Sequence, residues 1–111
     1  MKSISTHILD TGAGKPANGV KIQLEFLEKS NYRQVAAAET NADGRVPPGW
    51  LNEFQTGTYR IRFHIGDYFK SNEQPCFYPY VEIVFEVKDV SQHYHVPLLV
   101  SSYGFSTYRG S

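Results

Sequence analysis

Histidine is the side chain whose ordinary pKa, ~6.5, suits it to proton chemistry near neutrality, and this chain has four. His93 and His95 are separated by one residue, so on an extended strand both point to one face. Two imidazoles so placed can converge on a metal ion. A third ligand would have to be His7, and no acidic residue stands at a suggestive spacing to it. His7 lies in Ser3-Ile4-Ser5-Thr6-His7-Ile8-Leu9-Asp10. There, alternation places Ser5, His7 and Leu9 on one face and Ile4, Thr6 and Ile8 on the other. His64 falls on the polar face of its strand with Arg60 and Arg62, and reads as a solvated surface histidine. Cys76 is the only cysteine. It has no internal disulfide partner and no CxxC context, and reads as an ordinary packed or semi-exposed thiol.

Two further places hold polar groups in suggestive positions. Arg45 follows the turn Asp43-Gly44, which alone reads as a surface residue. The chain stops at Thr107-Tyr108-Arg109-Gly110-Ser111. Termini commonly fray, but this one carries a Tyr, an Arg and a free carboxylate directly after a strand-like run. A tight hairpin centred on Ser102-Tyr103 would set His95 opposite Gly110, within a residue or two. Directly opposed residues have Cβ atoms about 4.5–5.5 Å apart, so His95 and the Tyr108–Ser111 tail should be neighbours.

The elements that must position these groups are strands. Val20, Ile22, Leu24 and Phe26 alternate with Lys21, Gln23 and Glu25. Tyr59, Ile61, Phe63 and Ile65 alternate with Arg60, Arg62 and His64, and Val81, Ile83, Phe85 and Val87 form a third run. A period of two marks half-buried strands. Ser3–Asp10, Tyr32–Thr40, Gln92–Val100 and Gly104–Arg109 are weaker candidates. Turn residues separate the runs at Thr11–Pro16, Asn41–Gly44 and Ser101–Gly104, and one short helix is expected near residues 66–73. The expectation is an all-β antiparallel sandwich of about seven or eight strands in two sheets.

Composition narrows the partners. A chain of 111 residues is sized for a single domain, 1–111. Eleven Lys and Arg balance eleven Asp and Glu, and the formal net charge is zero. That removes the electrostatic case for nucleic acid or an anionic membrane. No stretch approaches the ~18 apolar residues of a membrane helix. The first residues lack an apolar signal core, so the expectation is a cytoplasmic protein, unless a targeting segment has been removed. Small molecules, another protein or copies of the chain itself remain as partners.

Three segments together carry a resemblance. They are Ser5-Thr6-His7-Ile8-Leu9-Asp10, Ala42-Asp43-Gly44-Arg45, and His93-Tyr94-His95-Val96-Pro97-Leu98-Leu99 followed by Tyr103–Ser111 with the closing Tyr-Arg-Gly-Ser. The chain resembles the 5-hydroxyisourate hydrolases, the transthyretin-related enzymes of purine catabolism, over its whole length. Departures from the commonest pattern are mild: Ile8 for Val, Val100 for Leu and Phe105 for Tyr. The carrier transthyretin shares the fold, but holds Lys, Glu and Thr where this chain has His7, Arg45 and His95.

The resemblance implies a transthyretin-like sandwich that opens the six-membered ring of 5-hydroxyisourate, a step in urate degradation to allantoin. Water adds at the C6 carbonyl, the N1–C6 bond breaks, and the product is 2-oxo-4-hydroxy-4-carboxy-5-ureidoimidazoline. It implies a catalytic set of His7, Arg45 and His95, with His7, Arg45, Tyr108 and Ser111 binding substrate. It implies no metal and no cofactor. Either histidine could be the base. It also implies a homotetramer, a dimer of dimers with sites where dimers meet. The face of His95, Pro97 and Leu99 suits such a ligand-lined interface. Two other readings stand beside it: a transthyretin-like carrier of small aromatic ligands, whose channel Tyr108 and Arg109 would obstruct, and a purely structural adhesin-like sandwich.

Overall fold

The computed structural model describes residues 3–111. In chain order the strands are β1 (Ile4–Ser5), β2 (Ile8–Asp10), β3 (Lys15–Pro16), β4 (Lys21–Glu28), β5 (Asn31–Glu39) and β6 (Gly57–Phe63). Helix α1 (Ile65–Ser71) follows, then β7 (Val81–Val87), β8 (Tyr94–His95), β9 (Leu98–Ser101) and β10 (Gly104–Thr107). One four-stranded sheet has the order β5-β4-β6-β7, the other β10-β9-β2-β3, and β1 pairs with β8 in a small third sheet.

The first sheet follows the period of two. Ile22, Leu24 and Phe26 on β4 and Tyr59, Ile61 and Phe63 on β6 are buried, and the residues between them are not. Ile8, Leu98 and Val100 from the other sheet complete the core. Each large apolar side chain so buried contributes about 1.5–3 kcal/mol against solvent exposure. On the outer face of the first sheet, Arg60 pairs with Glu25 at 2.8 Å and its guanidinium lies over the Tyr32 ring. The charged residues of the alternating runs are thereby held on that face.

The second sheet departs from a purely antiparallel pattern. β1 runs parallel to β8, and β2 parallel to β9. The register Ile4↔Tyr94, Ser5↔His95 continues unchanged to Ile8↔Leu98, so the two pairs form one interrupted seam. Backbone amides of Tyr94, Val96 and Leu98 donate to the carbonyls of Ser3, Ser5 and His7 along it. Lys15 and Pro16, expected within a turn, pair with Asp10 and Leu9 as a short strand.

The helix occupies Ile65–Ser71, ending earlier than expected. The Asn72 side-chain amide donates to the Tyr68 carbonyl at 2.8 Å, and Glu73 adopts a left-handed φ of 56°. The left-handed residue Glu73 ends the helix, and the Asn72 side-chain amide adds a second donor to a carbonyl of the last turn. The Tyr68 hydroxyl donates to Asp10 Oδ2 at 2.8 Å. Among the described residues no helix is long and apolar enough to cross a membrane.

Candidate active site

The parallel seam presents Ser5 and His95 side by side, because they are register partners. Two residues on, His7 stands on the same face as Ser5, half-buried, while Ile4, Thr6 and Ile8 turn into the core. On its other flank His7 forms an antiparallel bridge with Arg45. On the far flank of His95 lies Gly110, again in an antiparallel bridge. One row across the sheet end therefore brings together Arg45, His7, Ser5, His95 and the tail.

Arg45 is placed by its turn. Asn41 Oδ1 accepts from the amides of Asp43 and Arg45, at 2.9 and 3.1 Å. The Asn41 amide donates to the Arg45 carbonyl, and Gly44 N–H to the Asn41 carbonyl. Gly44 has φ +74°, and a Cβ there would collide with the Ile8 carbonyl oxygen and press on Pro16 and Ala17. Only glycine meets both demands. Ile8 N–H donates to the Gly44 carbonyl at 2.8 Å, which docks the turn on β2. The Arg45 side chain is exposed, and no carboxylate among the described residues pairs with it.

The tail is positioned by the β9–β10 hairpin. Its register, Gly104↔Ser101 to Thr107↔Leu98, carries on to Gly110↔His95. The ladder is broken between them because Pro97 has no N–H to give. The Thr107 hydroxyl instead donates to the Pro97 carbonyl at 2.6 Å. Arg109 re-anchors the chain: its guanidinium donates to Gln92 Oε1 and the His93 carbonyl, and lies 4.3 Å from the centroid of the Tyr94 ring. Tyr108 is left exposed. It borders a cleft of about 580 Å³ with Val84, Phe85, Tyr94, Val96 and Arg109, which His7, Arg45 and His95 do not line. Ser111 is exposed beyond Gly110.

His93 and His95 do share a face, and the Ser5 hydroxyl sits between them. Its Oγ is 2.7 Å from His93 Nε2 and 2.7 Å from His95 Nδ1. No cluster of three His, Cys, Asp or Glu fit to hold a metal occurs among the described residues. Burial holds the His95 pKa below its ordinary value, and the charge of Arg45, with those of His7 and His93 when they are protonated, pushes the same way. His64 is elsewhere, bonded to Gln23 Oε1 at 3.0 Å. Cys76 is half-buried and donates its thiol to the Tyr78 carbonyl.

Residue order alone does not single out two contributors, Ser5 and Trp50, whereas the bridge from His95 to Gly110 is the one expected. A cleft of about 440 Å³ beside the row is bordered by Ser5, Arg45, Pro47, Trp50, Leu51 and His93. The Trp50 indole N–H donates to the Ile4 carbonyl at 2.8 Å, fixing that apolar wall to β1. The signal for Ser5 was present, since alternation placed it on the face of His7.

Residues 4–110 match the model of the HIUase/Transthyretin family. The chain belongs to that family. Among its relatives, 5-hydroxyisourate hydrolase 2 of Rhizobium meliloti is 49% identical, over 97% of this chain and 95% of that one. The solved Klebsiella pneumoniae 5-hydroxyisourate hydrolase overlays with a TM-score of 0.87 at 33% identity, covering all of both chains. Sea bream transthyretin in complex with thyroxine overlays with a TM-score of 0.91 at 26% identity, covering 96% of this chain and 93% of that one. The family thus contains both hydrolases and a thyroxine-binding member, and the residues of the seam must tell which this chain is like.

Proposed function

We propose that the chain is a 5-hydroxyisourate hydrolase, acting as one domain over residues 1–111. The observation that carries the reading is the row Arg45–His7–Ser5–His95–Gly110 across one sheet end. It supplies two imidazoles and a guanidinium that has no carboxylate partner among the described residues, groups suited to serve as base and oxyanion donors in ring opening by water. The identity to the Rhizobium meliloti enzyme over nearly the whole chain supports the same reading.

The reaction is an addition followed by an elimination. The water oxygen bonds to C6 while a histidine takes its proton, and the carbonyl electron pair moves to oxygen. A positioned base contributes about 10²–10⁴-fold. The Arg45 fork offers donors to the resulting oxyanion or to the urea-like edge of the substrate. When the carbonyl re-forms, the C6–N1 bond breaks and N1 receives the proton that the water lost. Tyr108 and Ser111 complete the binding surface in this reading. No step needs a metal or cofactor.

We also propose assembly as a dimer of dimers with the sites where dimers meet. β7 and β10 are sheet edges, and Val84, Phe105 and Tyr108 on and beside them are 58%, 42% and 60% exposed. Unpaired edges flanked by exposed apolar groups favour pairing with another chain. Light scattering at tetramer mass supports this, and a monomer at working concentration overturns it.

The activity test generates 5-hydroxyisourate from urate with urate oxidase and follows its ultraviolet decay. Purified protein should accelerate the decay, and His7→Ala should not. A decay rate equal to the spontaneous one overturns the reading. The overlay on a thyroxine complex favours a carrier as the second reading. Tight thyroxine binding without hydrolysis would select it.

A further inference from the structure

The hydrogen bonds around Ser5 have a direction. The Ser3 backbone N–H donates to His93 Nδ1 at 3.2 Å. A peptide N–H is a donor only, so His93 Nδ1 carries no proton. Neutral imidazole then holds its proton on Nε2, the atom 2.7 Å from Ser5 Oγ. His93 therefore donates to the serine oxygen. The hydroxyl has one proton, and its other contact is His95 Nδ1 at 2.7 Å. Ser5 must donate there, so His95 Nδ1 is an acceptor and its proton resides on Nε2.

Reversing the chain would place an N–H of His93 against the N–H of Ser3. The arrangement thus has one satisfied polarity, set at its far end by a backbone group that cannot rotate or titrate. A protonated His95 would also lose the bond from Ser5, since both its nitrogens would be donors. His7, by contrast, makes no side-chain hydrogen bond among the described residues that would decide its tautomer.

We propose that Ser5 and His93 are positioning residues that lock His95 as the neutral Nε2–H tautomer, so that His95 serves as a hydrogen-bond donor to the substrate and His7 as the base. The proposal rests on the hydrolase reading for the substrate, but not for the tautomer. In the reaction, His7 takes the water proton as the C6–O bond forms and returns it to N1 as C6–N1 breaks. His95 Nε2–H and Arg45 donate to the oxygen that gains negative charge between the two steps. Partners that orient metal-bound histidines cost about 10–100-fold when removed, and a loss on that scale is expected for the orienting bonds to His95.

The experiment is nitrogen-15 NMR of the histidine rings in the intact protein at pH about 8, above the ordinary imidazole pKa, with His95 assigned by the loss of its signals in His95→Gln. The expected spectrum has His95 Nδ1 unprotonated and Nε2 protonated. In Ser5→Ala the bias should relax towards a mixture, and kcat should fall about tenfold with KM little changed. Ser5→Thr, which keeps the hydroxyl, should restore both. A protonated Nδ1 in the unsubstituted protein overturns the proposal whatever the variants do. An unchanged tautomer in Ser5→Ala overturns the role of Ser5. The expected tautomer in a protein that leaves 5-hydroxyisourate untouched upholds the lock and sinks only the hydrolase reading.

Discussion

Gly110 lies close beside the His95 imidazole, on the Cδ2 side of the ring. Their backbones form an antiparallel bridge, and the Gly110 amide donates to the His95 carbonyl at 2.8 Å. A Cβ at Gly110 would run into His95 Cδ2 and stand 3.2 Å from Cγ. The tail is thus a wall that fixes the ring from one side while Ser5 fixes it from the other.

Gly110→Ala should displace the His95 ring or lift the tail. Overpacking of this kind costs about 1–3 kcal/mol where it cannot relax, but the tail can yield. The expected result is a nearly unchanged melting temperature with kcat/KM lowered up to about 10²-fold, the scale set by misplacing a reacting group. Steady-state kinetics beside calorimetry checks this, and full activity would refute it.

Deleting Tyr108–Ser111 should abolish most turnover and leave the fold. Tyr108, Arg109 and Ser111 are exposed, and the segment adds nothing to the buried core. The deletion removes the grip of Arg109 on Gln92, His93 and Tyr94, together with the Gly110 amide bond. Far-ultraviolet circular dichroism should be retained, with stability lowered by about 1 kcal/mol. A truncated protein with undiminished activity would show that the tail is dispensable.

Protonation of His95 should contribute to the acid side of the pH profile, since it would break the bond from Ser5. Burial, then the charge of Arg45 and those of His7 and His93 when they are protonated, holds its pKa below the ordinary value in the folded protein. Between the folded and unfolded values, the unfolded chain binds the extra proton and the folded one does not. Stability from this group is therefore complete above the unfolded pKa of ~6.5 and declines as pH falls below it. Arg45→Met removes one of the repelling charges. In NMR titration the His95 pKa should rise in that variant, and activity should begin to fall at a higher pH. A His95 titration that does not move would separate Arg45 from the ring.

Gly44→Ala tests the placement of Arg45. It combines a φ of +74° with a collision against the Ile8 carbonyl, and the Pro16 Cβ and Ala17 N are 3.2 and 3.3 Å away. A destabilisation of about 1–3 kcal/mol is expected, with kcat/KM reduced because Arg45 moves with the turn. Thermal unfolding would register it as a drop of roughly 4–8 °C per kcal/mol. Asp43→Ala, next door on an exposed position, should change neither.

Much of this arrangement is legible from residue order. The strand pattern of β4, β6 and β7 follows directly from period two, and the approach of His95 to Gly110 follows from counting back from the Ser102-Tyr103 turn. The parallel seam is not legible in that way. Antiparallel neighbours are joined by short turns that can be counted, whereas β1 and β8 meet across most of the chain, with no local residue to announce it. Alternation sets Ser5 on the face of His7, but its partners are hidden for the same reason. Its role appears only when the register Ser5↔His95 places its hydroxyl between two rings from another strand. The reading of His93 and His95 as a possible metal pair recognised their shared face but not the hydroxyl between them.

That seam also bears on how the protein acquires its activity. The bonds from Ser5 to His93 and His95 span sequence separations of 88 and 90 residues. Contacts so distant along the chain carry a large loop-closure cost, and topologies rich in them fold slowly. The β4–β5 hairpin can form from neighbouring residues, but the row of Arg45, His7, Ser5 and His95 cannot exist until β1 has met β8. Catalytic competence should therefore lag behind the gain of β-structure during refolding, and partly synthesised chains should contain hairpins without a working site.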